Sequence, residues 1–92
     1  MTNLYTFIME YLGGSYISQY ESINKEQAMI LWIQNLEIDQ IKGFTPEDKE
    51  KIIKEGFEEE DPSNLRGIHN TWHFIVRTKK GVGFVNFVCT VK

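Results

Sequence analysis

Four groups of residues in this 92-residue chain have the types and spacings from which chemistry could be built: His69 with His73, the lone Cys89, the run Glu58-Glu59-Glu60-Asp61, and Gly81-Val82-Gly83 behind Lys79 and Lys80. Two imidazoles four residues apart can share a metal when one helix carries both. Here His69 falls in an irregular stretch and His73 at the start of a strand pattern, with no cysteine pair near either. Cys89 could serve as a nucleophile only with a base on its own face within hydrogen-bond reach. The strand pairing set out below sends Cys89 to the core and His73 to the other side, so the thiol is expected to pack as a small apolar residue. Cation loops need oxygen ligands at alternating positions and a glycine for the turn. Four consecutive acids offer neither, and Glu58, Glu59, Glu60 and Asp61 read as a solvated or partner-facing patch. The glycines at 81 and 83 would suit a phosphate cradle, but no helix begins after them to supply its dipole; they read as hairpin geometry. With no converging nucleophile, base and orienting group, the expectation is a non-catalytic protein with no cofactor and no metal.

The elements that position these residues follow from period and punctuation. Residues 4–12 and 15–21 are rich in β-branched and aromatic types around Gly13-Gly14, the composition of a two-residue hairpin loop. Counting outward from that loop sets Tyr11 opposite Tyr16, Met9 opposite Ser18 and Phe7 opposite Tyr20, with Tyr5, Phe7, Met9, Tyr11, Tyr16 and Tyr20 on the core face. Asn24 followed by Gln27 is a capping-box variant, and Met29, Trp32, Ile33 and Leu36 recur at helical spacing, which predicts a helix from about Lys25 to about Leu36. Thr45, Pro46 and Asp48 announce a second helix that Gly56 stops, and its thin apolar content, Ile52 and Ile53, places it on the surface. Residues 57–70 show no period and read as a long loop. Trp72 to Thr78 and Val82 to Val91 form a second strand pair around Lys80-Gly81, with Val76 opposite Val85, Phe74 opposite Phe87 and Trp72 opposite Cys89. The expected fold is α+β, two-layer, in the order β-β-α-α-β-β: a four-stranded, mostly antiparallel sheet with two helices on one face.

Hydrophobic residues make up 41% of the chain and charged ones 25%, the balance of an ordinary folded domain. The length suits a single domain, residues 1–92. The longest apolar run, Ala28 to Ile33, falls far short of the ~20 residues that cross a bilayer. The opening MTNLYTFIMEYL lacks a basic region and a small-residue cleavage site, and one cysteine cannot form an internal disulfide, so a cytoplasmic location is expected. The net charge of −3 conceals a segregation: −3 over residues 1–46, −5 over 47–61 and +5 over 62–92.

Two functional classes remain. In the first, the sheet face away from the helices carries Ile8, Ile17, Ile75, Phe84 and Val88 among Glu10, Gln19, Glu21, His73, Arg77 and Asn86, a mixture that suits a protein interface. The partner-binding candidates are Glu58, Glu59, Glu60, Asp61, His73, Arg77, Phe84 and Asn86, and the partner is another protein or a second copy of the chain. The alternative is that the 57–70 loop folds back over this face, with Leu65 and Ile68 plugging it. The opening hairpin and capped helix, Gly13-Gly14 followed by Asn24-Lys25-Glu26-Gln27-Ala28, resemble the start of HicB-type antitoxins over roughly the first 36 residues. That resemblance implies an antitoxin- or immunity-like role, in which an acidic protein caps the basic surface of a toxin. The second class is single-stranded nucleic-acid binding by the last hairpin, with Arg77, Lys79 and Lys80 on phosphates and Phe84 or Trp72 stacking on bases. The net negative charge and the acidic stretch 47–61 speak against it.

Overall fold

The computed structural model of the chain describes residues 2–57, 63–64 and 70–90. Alternating burial along Asn3–Tyr11 (β1) turns Tyr5, Phe7, Met9 and Tyr11 inward, and β1 pairs with Gly14–Ser22 (β2). Lys25–Asn35 (α1), a single 3-10 turn at Ile38–Gln40 and Pro46–Glu55 (α2) follow, then Ser63–Asn64 (β3), Thr71–Arg77 (β4) and Val82–Thr90 (β5). The strands form one antiparallel sheet in the order β2-β1-β5-β4-β3, so the first and last strands lie side by side at its centre. This is the two-layer α+β arrangement expected, with both helices on one face and the two-residue β3 added at the β4 edge. No helix among the described residues is long and apolar enough to cross a membrane.

Both helix starts form as their sequences dictate. The Asn24 side chain accepts from the Gln27 N–H at 2.8 Å. At α2 the box is complete: Thr45 Oγ1 accepts from the Asp48 N–H, and Asp48 Oδ2 accepts from the Thr45 N–H, each at 3.1 Å. Gly56, at φ +86°, closes α2 and donates its N–H to the Ile52 carbonyl at 2.8 Å. Ile52 is buried and Ile53 exposed, as befits a surface helix. The core is an aromatic stack. Phe7 lies face to face with Phe87 at 4.6 Å and with Trp32 at 5.8 Å, and Phe74 meets Trp32 edge-on at 5.5 Å.

Two registers differ from expectation. The first turn is Leu12-Gly13, not Gly13-Gly14, so Tyr11 faces Gly14, Met9 faces Tyr16, Phe7 faces Ser18 and Tyr5 faces Tyr20. Both turn residues have positive φ, +47° and +83°, the pairing that matches strand twist. Leu12 accepts this strained conformation because its side chain packs over Gly43 and Gly81, where an added Cβ would meet its methyls at 2.6 and 2.8 Å. The last hairpin slips the same way: Trp72 faces Phe87, Phe74 faces Val85 and Val76 faces Gly83, not Cys89, Phe87 and Val85. Thr78 closes that turn, donating its N–H to the Gly81 carbonyl at 2.9 Å, with Lys79-Lys80 at the tip. Each slip is two residues in pairing, so every side chain keeps its expected face.

These turns converge at one end of the sheet. The buried Tyr11 hydroxyl donates to the Gly43 carbonyl at 2.6 Å and contacts Thr78 Oγ1 at 2.5 Å. Asp48, 4% exposed, accepts from the Lys79 N–H at 3.2 Å, tying the start of α2 to the β4–β5 turn.

Candidate functional site

The face opposite the helices is organised in rows by the strand pairing. One row runs Ile17, Ile8, Asn86, His73; the next runs Ser15, Glu10, Phe84, Ile75; a third runs Gln19, Thr6, Val88, Thr71. Ile8 sits diagonally from Phe84, so Ile17, Ile8, Phe84 and Ile75 make one apolar strip across four strands. Its most open members are Ile17, 69% exposed, and Phe84, 56%, while Ile8 and Ile75 are half-buried. Polar side chains flank the strip and satisfy one another across strands. Ser15 Oγ donates to Glu10 Oε2 at 2.6 Å on one side, and Gln19 Nε2 donates to Thr6 Oγ1 at 2.9 Å on the other.

His73 and Asn86 lie directly opposite each other beside this strip, as the strand parity requires, and Phe84 stands at its centre. His73 Nδ1 is buried with no hydrogen-bond partner among the described residues. Arg77 stands apart at the end of β4, opposite Val82, where it lines a cleft of about 140 Å³ with Lys51, Ile52 and Glu55 of α2. Glu58, Glu59, Glu60 and Asp61 lie outside the described residues, as do His69, Leu65 and Ile68. Of the 57–70 segment, Ser63 and Asn64 add to the edge of β4, opposite His73 and Trp72.

The nucleic-acid candidates are dispersed. Lys79 has its N–H held by Asp48, and its ammonium lies 3.7 Å from the Glu47 carboxylate, both side chains being exposed. Lys80 shares the turn. Phe84 faces the open side, but Trp72 faces the helices, packed on Phe87 at 5.3 Å with the Lys25 ammonium 5.6 Å from its ring centre. A base stacked on Phe84 could not reach Trp72.

Cys89 lies on the helix side, half-buried, opposite Tyr5 of β1, and His73 faces the other way. Burial pushes the Tyr5 phenol above its ordinary pKa, and its neighbour Cys89 adds to the shift. Among the described residues no three metal-ligating side chains come together. What sequence reasoning missed is Asp48, whose placement three residues after Thr45 signalled the cap but not the second bond to the β4–β5 turn.

Compared with models of protein families, with curated proteins and with solved structures, the chain matches none.

Proposed function

We propose that the protein is a small non-catalytic interaction module, antitoxin- or immunity-like in role, that docks a protein partner on the open face of its sheet. The observation that carries this reading is the strip Ile17, Ile8, Phe84, Ile75, apolar where a solvated antiparallel face alternates to polar. Apolar centre and polar rim are the anatomy of a recognition surface. The rim here is already hydrogen-bonded within itself, so covering the strip strands none of the groups in those pairs. The acids at 58–61 would add steering toward a basic partner, and a cytoplasmic location fits a domain whose one cysteine has no second cysteine to pair with in the chain.

The test is affinity capture with wild type, Phe84→Ala, and Glu58, Glu59 and Glu60 changed together to Lys. An aromatic anchor at the centre of an interface costs about 2 kcal/mol or more when truncated, roughly thirtyfold in affinity. The expected result is a partner whose binding falls by that factor in Phe84→Ala while the fold, read by circular dichroism, stays intact. A partner held equally well by Phe84→Ala refutes the face, and one indifferent to the lysine changes removes the acidic run. Tight binding of single-stranded RNA or DNA at low salt, weakened by Lys79→Ala and Lys80→Ala, would replace this reading with the nucleic-acid one.

A further inference from the structure

A cleft of about 290 Å³ opens on the helix side of the sheet, between β2 and the turn that follows α1. One wall is β2. Tyr16, Ser18 and Tyr20 pair with Met9, Phe7 and Tyr5, so their side chains share the helix-side face, and both tyrosines are half-buried. The other wall is the end of α1 and the 3-10 turn, where Trp32 is buried and Asn35, Glu37 and Gln40 are exposed. That wall is held in shape by its own backbone. The Gln40 N–H donates to the Glu37 carbonyl at 3.1 Å, the Ile41 N–H donates to the Ile38 carbonyl at 3.0 Å, and the Ile41 side chain is buried.

The polar groups of this second wall are biased toward accepting. Asn35 Nδ2 donates to the Leu31 carbonyl at 2.8 Å, and Gln40 Nε2 donates to Glu37 Oε2 at 2.9 Å. Each amide thus spends a hydrogen within the wall, while Asn35 Oδ1 and Gln40 Oε1 accept no hydrogen bond among the described residues. A carboxylate offers about four acceptor positions, so Glu37 keeps most of its capacity after the bond from Gln40. Among the described residues lining the cleft, Glu37 is the one charged side chain. Lys49 of α2 reaches the same wall, but its ammonium donates to the Leu36 carbonyl at 3.2 Å. Three acceptor groups and two tyrosine rings on one cleft call for a cation with several donors and a flat face. A volume at the small end of ligand sites limits it to one head group on a short stem.

We propose that this cleft binds a guanidinium group on an alkyl stem, the head group of arginine and of small alkylguanidines. Glu37 supplies the opposite charge and the two-oxygen acceptor that the guanidinium fork matches. The amide oxygens of Asn35 and Gln40 accept from the remaining N–H groups, and the rings of Tyr16 and Tyr20 take the flat face of the cation. A guanidinium is more weakly hydrated than an ammonium, so it gives up less water on entering an aromatic cleft. Ile17 borders the cleft as well as the open-face strip, and the assignment takes nothing from it. The site otherwise lies on the opposite side of β2 from the surface proposed for the protein partner, so either stands if the other fails.

Titration of isotope-labelled protein with butylguanidinium chloride from ~0.1 to ~50 mM, followed by amide chemical shifts, tests it. The expected result is saturable shifts centred on residues 15–18 and 35–40, with a dissociation constant of about 1–10 mM. Glu37→Gln, a conservative change at an exposed position, should weaken binding about fivefold, and Tyr16→Leu about threefold. Glu47→Gln removes the same charge outside the cleft, from the pair with Lys79, and should leave binding unchanged. The absence of saturable shifts at these residues by ~50 mM overturns the proposal. So does an equal loss in Glu37→Gln and Glu47→Gln, or butylammonium bound as tightly as butylguanidinium. If Tyr16→Leu fails to fold, the glutamate pair decides alone. An acetylated and amidated Gly-Arg-Gly peptide separates the two sources of the group: binding at least as tight as butylguanidinium assigns the cleft to an arginine on another chain, and weaker binding assigns it to a free small molecule.

Discussion

Replacing Asp48 by alanine probes the junction on which both the helix layer and the last turn depend. The carboxylate is 4% exposed and accepts three hydrogen bonds, from the Thr45 N–H at 3.1 Å, Thr45 Oγ1 at 2.9 Å and the Lys79 N–H at 3.2 Å. Hydrogen bonds to a charged acceptor contribute about 1.5–3 kcal/mol each, offset by the cost of burying the charge. Alanine strands two backbone donors, and a net loss of about 3 kcal/mol is expected. For a domain of this size that lowers the unfolding midpoint by about 12–24 °C. Thermal and urea unfolding followed by circular dichroism measure it. The pH dependence gives a second reading. Burial acts to raise the Asp48 pKa, but the hydrogen bonds from Thr45 and Lys79 and the Lys79 charge outweigh it and hold the carboxyl below its ordinary value. A group with a depressed folded pKa gives stability that is fully present above the unfolded value, about 3.9, and lost as pH falls through the lower folded one. The gap between wild type and Asp48→Ala should therefore be widest above about pH 5 and narrow below about pH 4. A gap under about 0.5 kcal/mol, or one unchanged between about pH 6 and pH 2.5, refutes the reasoning.

Tyr11→Phe leaves the Gly43 carbonyl and the Thr78 hydroxyl without their shared partner and should cost about 1–3 kcal/mol in urea unfolding. Gly83→Ala drives a methyl to 2.8 Å from Val76 and 3.1 Å from Met9 Sδ inside the core, an overpacking expected to cost about 1–3 kcal/mol by the same measurement. Phe84→Ala, by contrast, should change stability by less than about 0.5 kcal/mol, because its ring is largely in solvent.

The helix boundaries and the sidedness of the four expected strands were legible because each rests on local chemistry, whereas β3 fell in the stretch 57–70 read as a loop. Asn24 and Thr45 cap where their types and spacings say, and a period of two assigns faces irrespective of where the turn falls. Registers were not legible, since two positions of a loop that differ by one residue preserve the same faces. What decided between them was Leu12 reaching over Gly43 and Gly81 and Thr78 closing on Gly81, contacts between segments far apart in sequence. For the candidate site, His73, Phe84 and Asn86 came together because strand parity alone places them, whereas Arg77 departed toward α2, a neighbour that pattern could not name.

The central pairing of β1 with β5 sets a timetable. Leu4 meets Thr90 and Tyr11 meets Gly83, so the middle of the sheet cannot close until nearly the whole described chain has been synthesised. Until then the β1–β2 hairpin has the β1 edge without its β5 partner, and only the helices, made before β5, are there to cover its aromatic side. Closing so long a loop makes folding slow relative to a helical domain of the same size. The open β1 edge of that intermediate is where strand pairing with other chains would compete with folding.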